Sequence, residues 1–239
     1  MSEHIKENID ALRSRAQQAF DRRGQGGQLT FLAATKNVPV EQINFAYQCG
    51  ITDIGENRVQ ELLEKYDRLN PNLNVHFIGK LQRNKVKYII DKVKLIHSVD
   101  NVRLGEEINR QAAKINKVVD VLAEVNIGEE ENKSGVLPDA LGQLMSELVG
   151  MGNIRVVGLM TMAPFCADQE EYRKYFSKTY KIFIDFFEKK EHNIGRGFDG
   201  VENAPPFPLL SMGMSDSFIT AIECGANIVR VGSALFGKR

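Results

Sequence analysis

Short apolar runs of strand length alternate along the chain with longer segments that repeat apolar residues at helical spacing. The pattern predicts eight strands, at 29–35, 51–54, 75–79, 95–99, 119–127, 155–161, 207–211 and 227–231. It predicts helices between them at 39–49, 57–69, 82–91, 101–117, 137–149, 168–190 and 215–224, and an amphipathic helix before the first strand at 3–22.

Strands that alternate with helices pair in parallel and are joined by right-handed crossovers. Two folds have this order, a closed (β/α) barrel and an open doubly wound sheet. The first strand is not followed by GxGxxG, the phosphate-binding turn of many doubly wound sheets, so the pattern favours the barrel. We therefore predict an α/β fold in which residues 1–239 form one domain, a (β/α)8 barrel of the TIM type. The extra helix at 3–22 would fill the gap left because the chain stops soon after the eighth strand.

Charge and cysteine content limit the partners and the compartment that we expect for this protein. Thirty-one basic residues balance thirty-one acidic ones, so we expect neither nucleic acid nor a membrane surface as a partner. The first residues have the pattern of a charged amphipathic helix and lack the apolar core of a signal peptide. Cys49, Cys166 and Cys224 are scattered and form no CxxC pair, which is typical of a reducing compartment. We predict a cytoplasmic protein, and the spacing of its histidines predicts no metal site.

In a barrel of this type the chemistry lies at the carboxyl ends of the strands. Taken singly, a polar residue at such an end is more often part of a turn than a ligand. The residues at the predicted ends are Lys36 after the first strand, Glu56 and Asn57 after the second, Gly79 and Lys80 after the third, Ser98 after the fourth, Asn126 after the fifth, Met160 to Met162 on the sixth, Ser211 to Ser215 at the seventh, and Arg230, Gly232 and Ser233 at the eighth.

The last two strand ends are the most specific. Ser215 stands at a predicted helix start, and Gly232 and Ser233 offer backbone N–H groups beside another hydroxyl. Barrels frequently bind phosphate with the loops after strands seven and eight. A phosphate anchor combined with the lysine after strand one is what holding pyridoxal 5'-phosphate (PLP) as a Schiff base requires. Arg230 would then face the ring of the cofactor.

Eight segments in fixed order carry a resemblance to a known family: AATKNVP, DIGENRVQE, HFIGKLQRNK, HSVD, EVNIGEEENKSG, GLMTMAP, LSMGMSDS and VRVGSALFG. The sequence resembles the pyridoxal-phosphate homeostasis proteins along nearly its whole length. The barrel of this family is similar to the N-terminal domain of alanine racemase.

The resemblance implies a role for each candidate residue. It implies that Lys36 forms the Schiff base with PLP and that Arg230 donates a hydrogen bond to the pyridine nitrogen. The other implied roles are the phosphate site of Ser215, Gly232 and Ser233, and a pocket lined by Ser211, Asn57 and Met160. A cation at the ring nitrogen weakens the cofactor as an electron sink, so vigorous carbanion chemistry is disfavoured.

The function implied is intracellular PLP homeostasis, meaning buffering and supply of the cofactor with little or no turnover. PLP-dependent client enzymes are the implied partners, and a monomer is expected because no strongly apolar exposed helix is evident. No catalytic residue is assigned. Lys80 and Lys133 also stand near the predicted rim. By residue type either could accept cofactor transferred from Lys36, but we interpret them as solvated surface lysines.

Two other functions remain open. One is a PLP-dependent amino-acid racemase or lyase. Alanine racemases of this architecture carry a second domain whose tyrosine supplies the base on the opposite face, so the resemblance implies that only one face is equipped here. The other is a barrel enzyme that acts on a sugar phosphate, in which Lys36 pairs with an anion.

Overall fold

A computed structural model describes residues 2–24, 27–187 and 207–237 of the chain. The strands are β1 (Thr30–Ala34), β2 (Asp53–Glu56), β3 (Asn74–Phe77), β4 (Leu95–Val99), β5 (Val119–Val125), β6 (Ile154–Thr161), β7 (Leu209–Ser211) and β8 (Ile228–Val231). Each strand pairs in parallel with the next, and β8 pairs with β1, so the sheet closes into a barrel. The predicted (β/α)8 barrel is confirmed, and each predicted strand boundary lies within two residues of the observed one.

Helices cover the outside of the barrel. They are α1 (Ser2–Arg22), α2 (Val40–Gln48), α3 (Val59–Tyr66), α4 (Val102–Ala113), α5 (Leu141–Val149), α6 (Gln169–Phe187), α7 (Phe218–Glu223) and α8 (Ser233–Phe236), with short 3-10 helices at Arg83–Tyr88 and Pro138–Ala140. None of the helices in these three described ranges is long and apolar enough to cross a membrane.

Two helix predictions need correction, and one helix was missed. The segment predicted as a helix at 82–91 is a 3-10 helix at Arg83–Tyr88, closed by bonds between residues three apart. The helix predicted to start at 215 begins at Phe218, because residues 214–217 form a turn in which the N–H of Ser217 donates to the carbonyl of Met214 at 2.9 Å. Helix α8 was not predicted. The predicted end of the sixth helix, at 190, lies outside the described residues.

The helix α1 fills the gap in the outer layer beside α8, which is only four residues long. It packs against α2, α7 and α8. Its buried residues recur at helical spacing and are Ile5, Ile9, Leu12, Ala16 and Ala19. The side-chain amide of Asn8 also donates to the carbonyl of Leu235 at 3.0 Å, which ties α1 to α8. The prediction that the N-terminal helix fills this gap is confirmed.

Two separate apolar clusters follow from the alternation of side chains along the strands. The larger cluster lies between the strands and the helices. The smaller cluster fills the inside of the barrel, and its buried members are Leu32, Ile78, Leu95, Leu122, Val157, Met160 and Ile228. The interior is therefore a packed core that supports the residues at the carboxyl ends of the strands.

Replacing Gly55 by alanine tests this interior packing, and Gly142 on α5 provides a comparison outside the barrel. In Gly55→Ala the new methyl group would lie 2.5 Å from Leu32 Cδ2 and 2.8 Å from Ile78 Cδ1, both inside the barrel. We expect a loss of about 1–3 kcal/mol in the free energy of unfolding. In Gly142→Ala, on α5, nothing lies within 4 Å, so we expect a gain of about 0.5–1 kcal/mol. Urea denaturation measures both, and a neutral Gly55→Ala would contradict the packing.

Candidate functional site

Lys36 lies in a tight turn at the carboxyl end of β1. The N–H of Val38 donates to the carbonyl of Thr35 at 3.0 Å, and Asn37 between them has a positive φ of 57°. Lys36 is exposed, and within the described residues it has no hydrogen-bonded or ion-paired partner. It follows the inner-cluster residues Leu32 and Ala34 at the same two-residue spacing. The fold therefore presents an uncommitted amine at the mouth of the barrel.

A buried ion cluster fixes the backbone of this turn. The Lys65 cluster consists of Lys65 on α3 with Thr35, Glu56 and Glu61. The ammonium of Lys65 donates to the carbonyl of Thr35 at 2.9 Å, to Glu56 Oε1 at 3.1 Å and to Glu61 Oε1 at 2.6 Å. The hydroxyl of Thr35 donates to Glu56 Oε1 at 2.7 Å. The residue before Lys36 is thus held through both its backbone and its side chain.

The same cluster holds the residue after Lys36. The backbone N–H of Asn37 donates to Glu61 Oε1 at 2.5 Å. Burial raises the pKa of Glu56, although the Thr35 hydroxyl and the Lys65 ammonium act in the opposite direction. Glu56, Glu61 and Lys65 all lie in the segment IGENRVQELLEK, but only the fold shows that they surround the Lys36 turn.

Arg230 lies inside the barrel on β8 and is 5% exposed. Its Nη1 donates to Ser211 Oγ at 2.6 Å, and its Nη2 donates to the carbonyl of Thr161 at 2.9 Å. Burial lowers the pKa of Arg230 to about 10, against the attraction of the Glu124 carboxylate. The guanidinium therefore remains a buried cation at neutral pH, and Ser211 is its direct partner.

The loops after β7 and β8 meet, as the sequence predicts. Ser215 Oγ accepts hydrogen bonds from the backbone N–H groups of Gly232 and Ala234, both at 3.3 Å. Ser233 is exposed and is the first residue of α8. Ser215 does not stand at a helix start, so its contribution is the contact of its hydroxyl with the other loop. The three residues predicted to hold phosphate lie together at the carboxyl end of the barrel.

The remaining predicted residues differ in how deeply they are buried. Asn57 is half-buried directly after β2, and its carbonyl oxygen would lie 2.1 Å from a Cβ at Gly79, so the ends of β2 and β3 approach closely there. Met160 is buried in the inner cluster, and its contact with a ligand stays a prediction. Lys80 and Lys133 are exposed.

Two histidines that the sequence reading did not connect lie inside the barrel. His76 Nδ1 is 2.9 Å from His97 Nε2, and His97 Nδ1 is 3.0 Å from Ser211 Oγ. His76 Nε2 is also 3.0 Å from Asp53 Oδ1. The alternation of Leu95 and His97 along β4 was the available signal, because residues two apart face the same side of a strand. Among residues 2–24, 27–187 and 207–237, no three His, Cys, Asp or Glu side chains form a group that could hold a metal ion.

Comparison with known proteins gives consistent results. The family described as "Alanine racemase, N-terminal domain" matches residues 2–239. A pyridoxal phosphate homeostasis protein of Aquifex aeolicus is 44% identical over 235 residues, which cover 98% of this chain and 97% of that protein. An unknown protein from Bifidobacterium adolescentis has a similar solved structure, with a TM-score of 0.86 and 31% identity over 98% of this chain and 95% of that one.

A further solved structure carries a ligand. PipY of Synechococcus elongatus, solved with PLP bound, has a TM-score of 0.79 and 29% identity, and the match covers 98% of this chain and 100% of that one. The family match and the identity to the Aquifex aeolicus protein both extend over nearly the whole chain. The chain therefore belongs to the alanine racemase N-terminal domain family and, within it, to the pyridoxal phosphate homeostasis proteins.

Proposed function

We propose that this protein binds PLP covalently at Lys36 and acts in PLP homeostasis by buffering and supplying the cofactor. The observation that carries the proposal is the uncommitted amine of Lys36 at the end of the barrel that also holds a buried cation and two converging serine-containing loops. Relatives named pyridoxal phosphate homeostasis protein and the PLP-bound structure of PipY support it.

The groups at the mouth fit the chemistry of the cofactor. PLP, when bound, supplies an aldehyde that condenses with a primary amine and a ring that withdraws electrons from the attached carbon. The chain offers a primary amine at Lys36 and a donor-only cation at Arg230. It offers hydroxyl and backbone N–H groups at Ser215, Gly232 and Ser233, which are suitable donors to a phosphate. Each part of the cofactor thus has a complementary group.

Arg230 is suited to a ring nitrogen that stays unprotonated. A guanidinium has more N–H groups than its contacts with Ser211 and Thr161 use, so it can donate a further hydrogen bond. It cannot accept one, and at a pKa of about 10 it keeps its proton at neutral pH. A ring nitrogen that only accepts a hydrogen bond leaves the ring a weak electron sink, which suits a carrier better than an enzyme of carbanion chemistry.

An absorption spectrum of the purified protein with and without added PLP tests the proposal. We expect a visible band when PLP is added, and borohydride reduction followed by peptide mass analysis should place the cofactor on Lys36. Failure to take up PLP would contradict the proposal. Loss of optical purity of an added L-amino acid would instead favour a racemase. If PLP binds through its phosphate but borohydride traps no covalent product, the result would favour an enzyme that acts on sugar phosphates.

The proposed phosphate site allows a separate prediction. Ser215→Ala removes the hydroxyl that joins the two loops, so we expect affinity for PLP to fall by about three- to tenfold, the value of one hydrogen bond. Fluorescence titration measures this change. Ser146→Ala, on the exposed face of α5, is the control and should leave the affinity unchanged. Equal affinities for both variants would remove Ser215 from the proposed site.

We further infer that residues 1–239 act as one PLP-binding domain, as a monomer in the cytoplasm, and that PLP-dependent enzymes are its clients. The family match over residues 2–239 supports the single domain. The free thiols of Cys49, Cys166 and Cys224 suit a reducing compartment. Light scattering tests the monomer. Faster activation of an apoenzyme by the loaded protein than by an equal concentration of free PLP would support the client role.

A further inference from the structure

A continuous chain of hydrogen bonds crosses the inside of the barrel. It runs from Asp53 to His76 at 3.0 Å, from His76 to His97 at 2.9 Å, from His97 to Ser211 at 3.0 Å and from Ser211 to Arg230 at 2.6 Å. We call these five residues the core relay. Each comes from a different strand, and four of the five are buried. Asp53, at the first position of β2, is partly exposed and lines a cavity at the base of the barrel.

The two ends of the core relay fix the direction of every bond between them. The Arg230 guanidinium can only donate, and an ionised Asp53 carboxylate can only accept. Burial acts to raise the pKa of Asp53, but its contacts with His76 and Thr52 help to outweigh that effect and the pKa is lowered overall, so this carboxylate is ionised at neutral pH. His76 must therefore carry a proton on Nε2 to donate to Asp53.

The same reasoning passes along the chain. If both rings are neutral, His76 Nδ1 accepts a hydrogen bond, so His97 must donate from Nε2. His97 Nδ1 is then unprotonated and accepts a hydrogen bond from the Ser211 hydroxyl. Burial lowers the pKa of His97 well below its usual value, and His76 and Arg230 lower it further. In this arrangement each N–H or O–H points away from the Arg230 cation and toward the Asp53 anion, so the bond dipoles reinforce one another.

If His76 were an imidazolium, the hydrogen bonds between His76 and His97 and between His97 and Ser211 would run in the opposite direction. The Nδ1–H of His76 would face His97 Nε2, so His97 would carry its proton on Nδ1 and donate to Ser211. The hydroxyl of Ser211 would then accept from both His97 and Arg230 and would need another acceptor for its own proton. Ser211 is 0% exposed, and within the described residues its hydroxyl is hydrogen-bonded to His97 and Arg230. The neutral arrangement alone uses every one of these atoms.

We propose that His97 and His76 are positioning residues for Arg230: through Ser211 they hold its guanidinium in one orientation, and Asp53 is the acceptor at the other end of the core relay. The significance of Arg230 here rests on the proposed function, in which it donates to the ring nitrogen of PLP. The protons of the core relay all point away from Arg230, so the relay delivers no proton to that nitrogen. Its contribution is the orientation of Arg230.

The first test uses the protein without cofactor and does not depend on PLP. In protein labelled with nitrogen-15 on histidine, long-range proton–nitrogen spectra report which ring nitrogen is protonated. We expect His76 and His97 both to be neutral with the proton on Nε2 at neutral pH. His4→Gln and His192→Gln variants identify their signals by removing the other two histidines. An Nδ1 tautomer at either ring, or an imidazolium, would overturn the proposal.

The second test measures the effect on the proposed site. His97→Phe keeps a ring of similar size but leaves Ser211 without its acceptor, so Arg230 loses its fixed orientation. We expect about tenfold weaker PLP binding and a changed pH dependence of the visible band, while borohydride still traps PLP on Lys36. Asp53→Leu, which removes the acceptor of His76 Nε2 and leaves His97 and Ser211 in place, should give the same direction of change and serves if His97→Phe does not fold.

The outcomes separate this proposal from the proposed function. If the parent protein traps no PLP, the proposed function fails, and the tautomers of His76 and His97 still decide the core relay. If the parent traps PLP and the folded variant has the parent affinity and spectrum at every pH, the positioning role is wrong. His4→Phe, at an exposed site on α1, is the matched control and should behave as the parent.

Discussion

The Lys36→Ala protein should lose all covalent attachment of PLP, along with the visible absorption band that forms when the parent is mixed with the cofactor. A covalent bond to an aldehyde needs a primary amine, and alanine supplies none. Lys36 is exposed and has no partner within the described residues, so its removal breaks no contact of the fold. We therefore expect the variant to unfold at the same urea concentration as the parent.

Two other lysines provide matched controls for this experiment. Lys80 and Lys133 are also exposed and stand in loops near the carboxyl ends of the strands. Their alanine variants should retain the visible band, and borohydride should still trap PLP on Lys36. A band of parental intensity in Lys36→Ala would move the attachment site elsewhere. Partial retention in Lys36→Ala, lost only when Lys80 or Lys133 is also replaced, would show that the loop lysines accept PLP themselves.

The Lys65→Met protein should be about 3–5 kcal/mol less stable than the parent in its free energy of unfolding. The side chain of Lys65 is 12% exposed and that of its partner Glu56 is 0% exposed. Methionine leaves Glu56 buried with only the Thr35 hydroxyl as a partner, because Glu56 Oε2 has no hydrogen bond within the described residues. An uncompensated buried carboxylate is costly. Urea denaturation followed by circular dichroism measures the loss.

A surface ion pair of the same type is the control. Lys178 donates to Glu129 at 2.6 Å, but the two side chains are 48% and 57% exposed. Lys178→Met should change the free energy of unfolding by less than about 1 kcal/mol. The double variant Lys65→Met with Glu56→Gln should recover part of the loss, since it removes the buried charge as well. Equal losses in the two single variants would contradict the role of burial.

The pH dependence of Lys65→Met gives a further check on Glu56. Burial raises the pKa of Glu56 in the folded protein above its value in the unfolded chain. As the pH is lowered through the higher pKa, Glu56 is protonated first in the folded protein. Lowering the pH toward the pKa of the unfolded chain therefore favours folding. Without Lys65 the pKa of Glu56 should rise further. The stability difference between parent and variant should therefore shrink as the pH is lowered, and a difference that grows would show that another group is responsible.

The turn of Lys36 should also respond to the loss of Lys65. The ammonium holds the carbonyl of Thr35, and Glu61, which it also holds, accepts from the N–H of Asn37. Lys65→Met frees both residues beside Lys36, so a folded variant should take up PLP with weaker affinity while keeping the covalent bond. The Lys65 cluster thus links the stability of the fold to the presentation of one amine.

Much of the fold could be predicted because its signals are local. Apolar runs and amphipathic segments predicted all eight strands, and the order of strands and helices predicted parallel pairing. Helix boundaries were less certain where tertiary contacts decide them. The turn at 214–217 replaces the predicted first turn of α7, and the segment at 82–91 forms only a 3-10 helix. The carbonyl of Asp216 in the turn at 214–217 also accepts from Gln169 Nε2 at 3.0 Å, a contact between distant residues that the local pattern does not encode.

Some residues of the candidate site were predicted from the sequence and others were not, for the same reason. Lys36, Ser215, Gly232, Ser233 and Arg230 were found from their places at the ends of strands, because every strand of a parallel barrel ends at the same mouth. Their roles toward PLP remain proposals. The Lys65 cluster and the two inner histidines were not found as functional groups, since each looks like an ordinary charged or polar residue until its partners are known.

The sequence by itself determined the alternation of strands and helices, the (β/α)8 barrel and the family to which the chain belongs, because hydrophobic period and motif order are properties of neighbouring residues. Only the tertiary structure decided that His76 and His97 join Asp53 to Arg230, and that Lys65 holds the turn before and after Lys36. These contacts join residues from different strands and helices. The contact between His97 on β4 and Ser211 on β7 also crosses the barrel, so it forms only when the sheet closes.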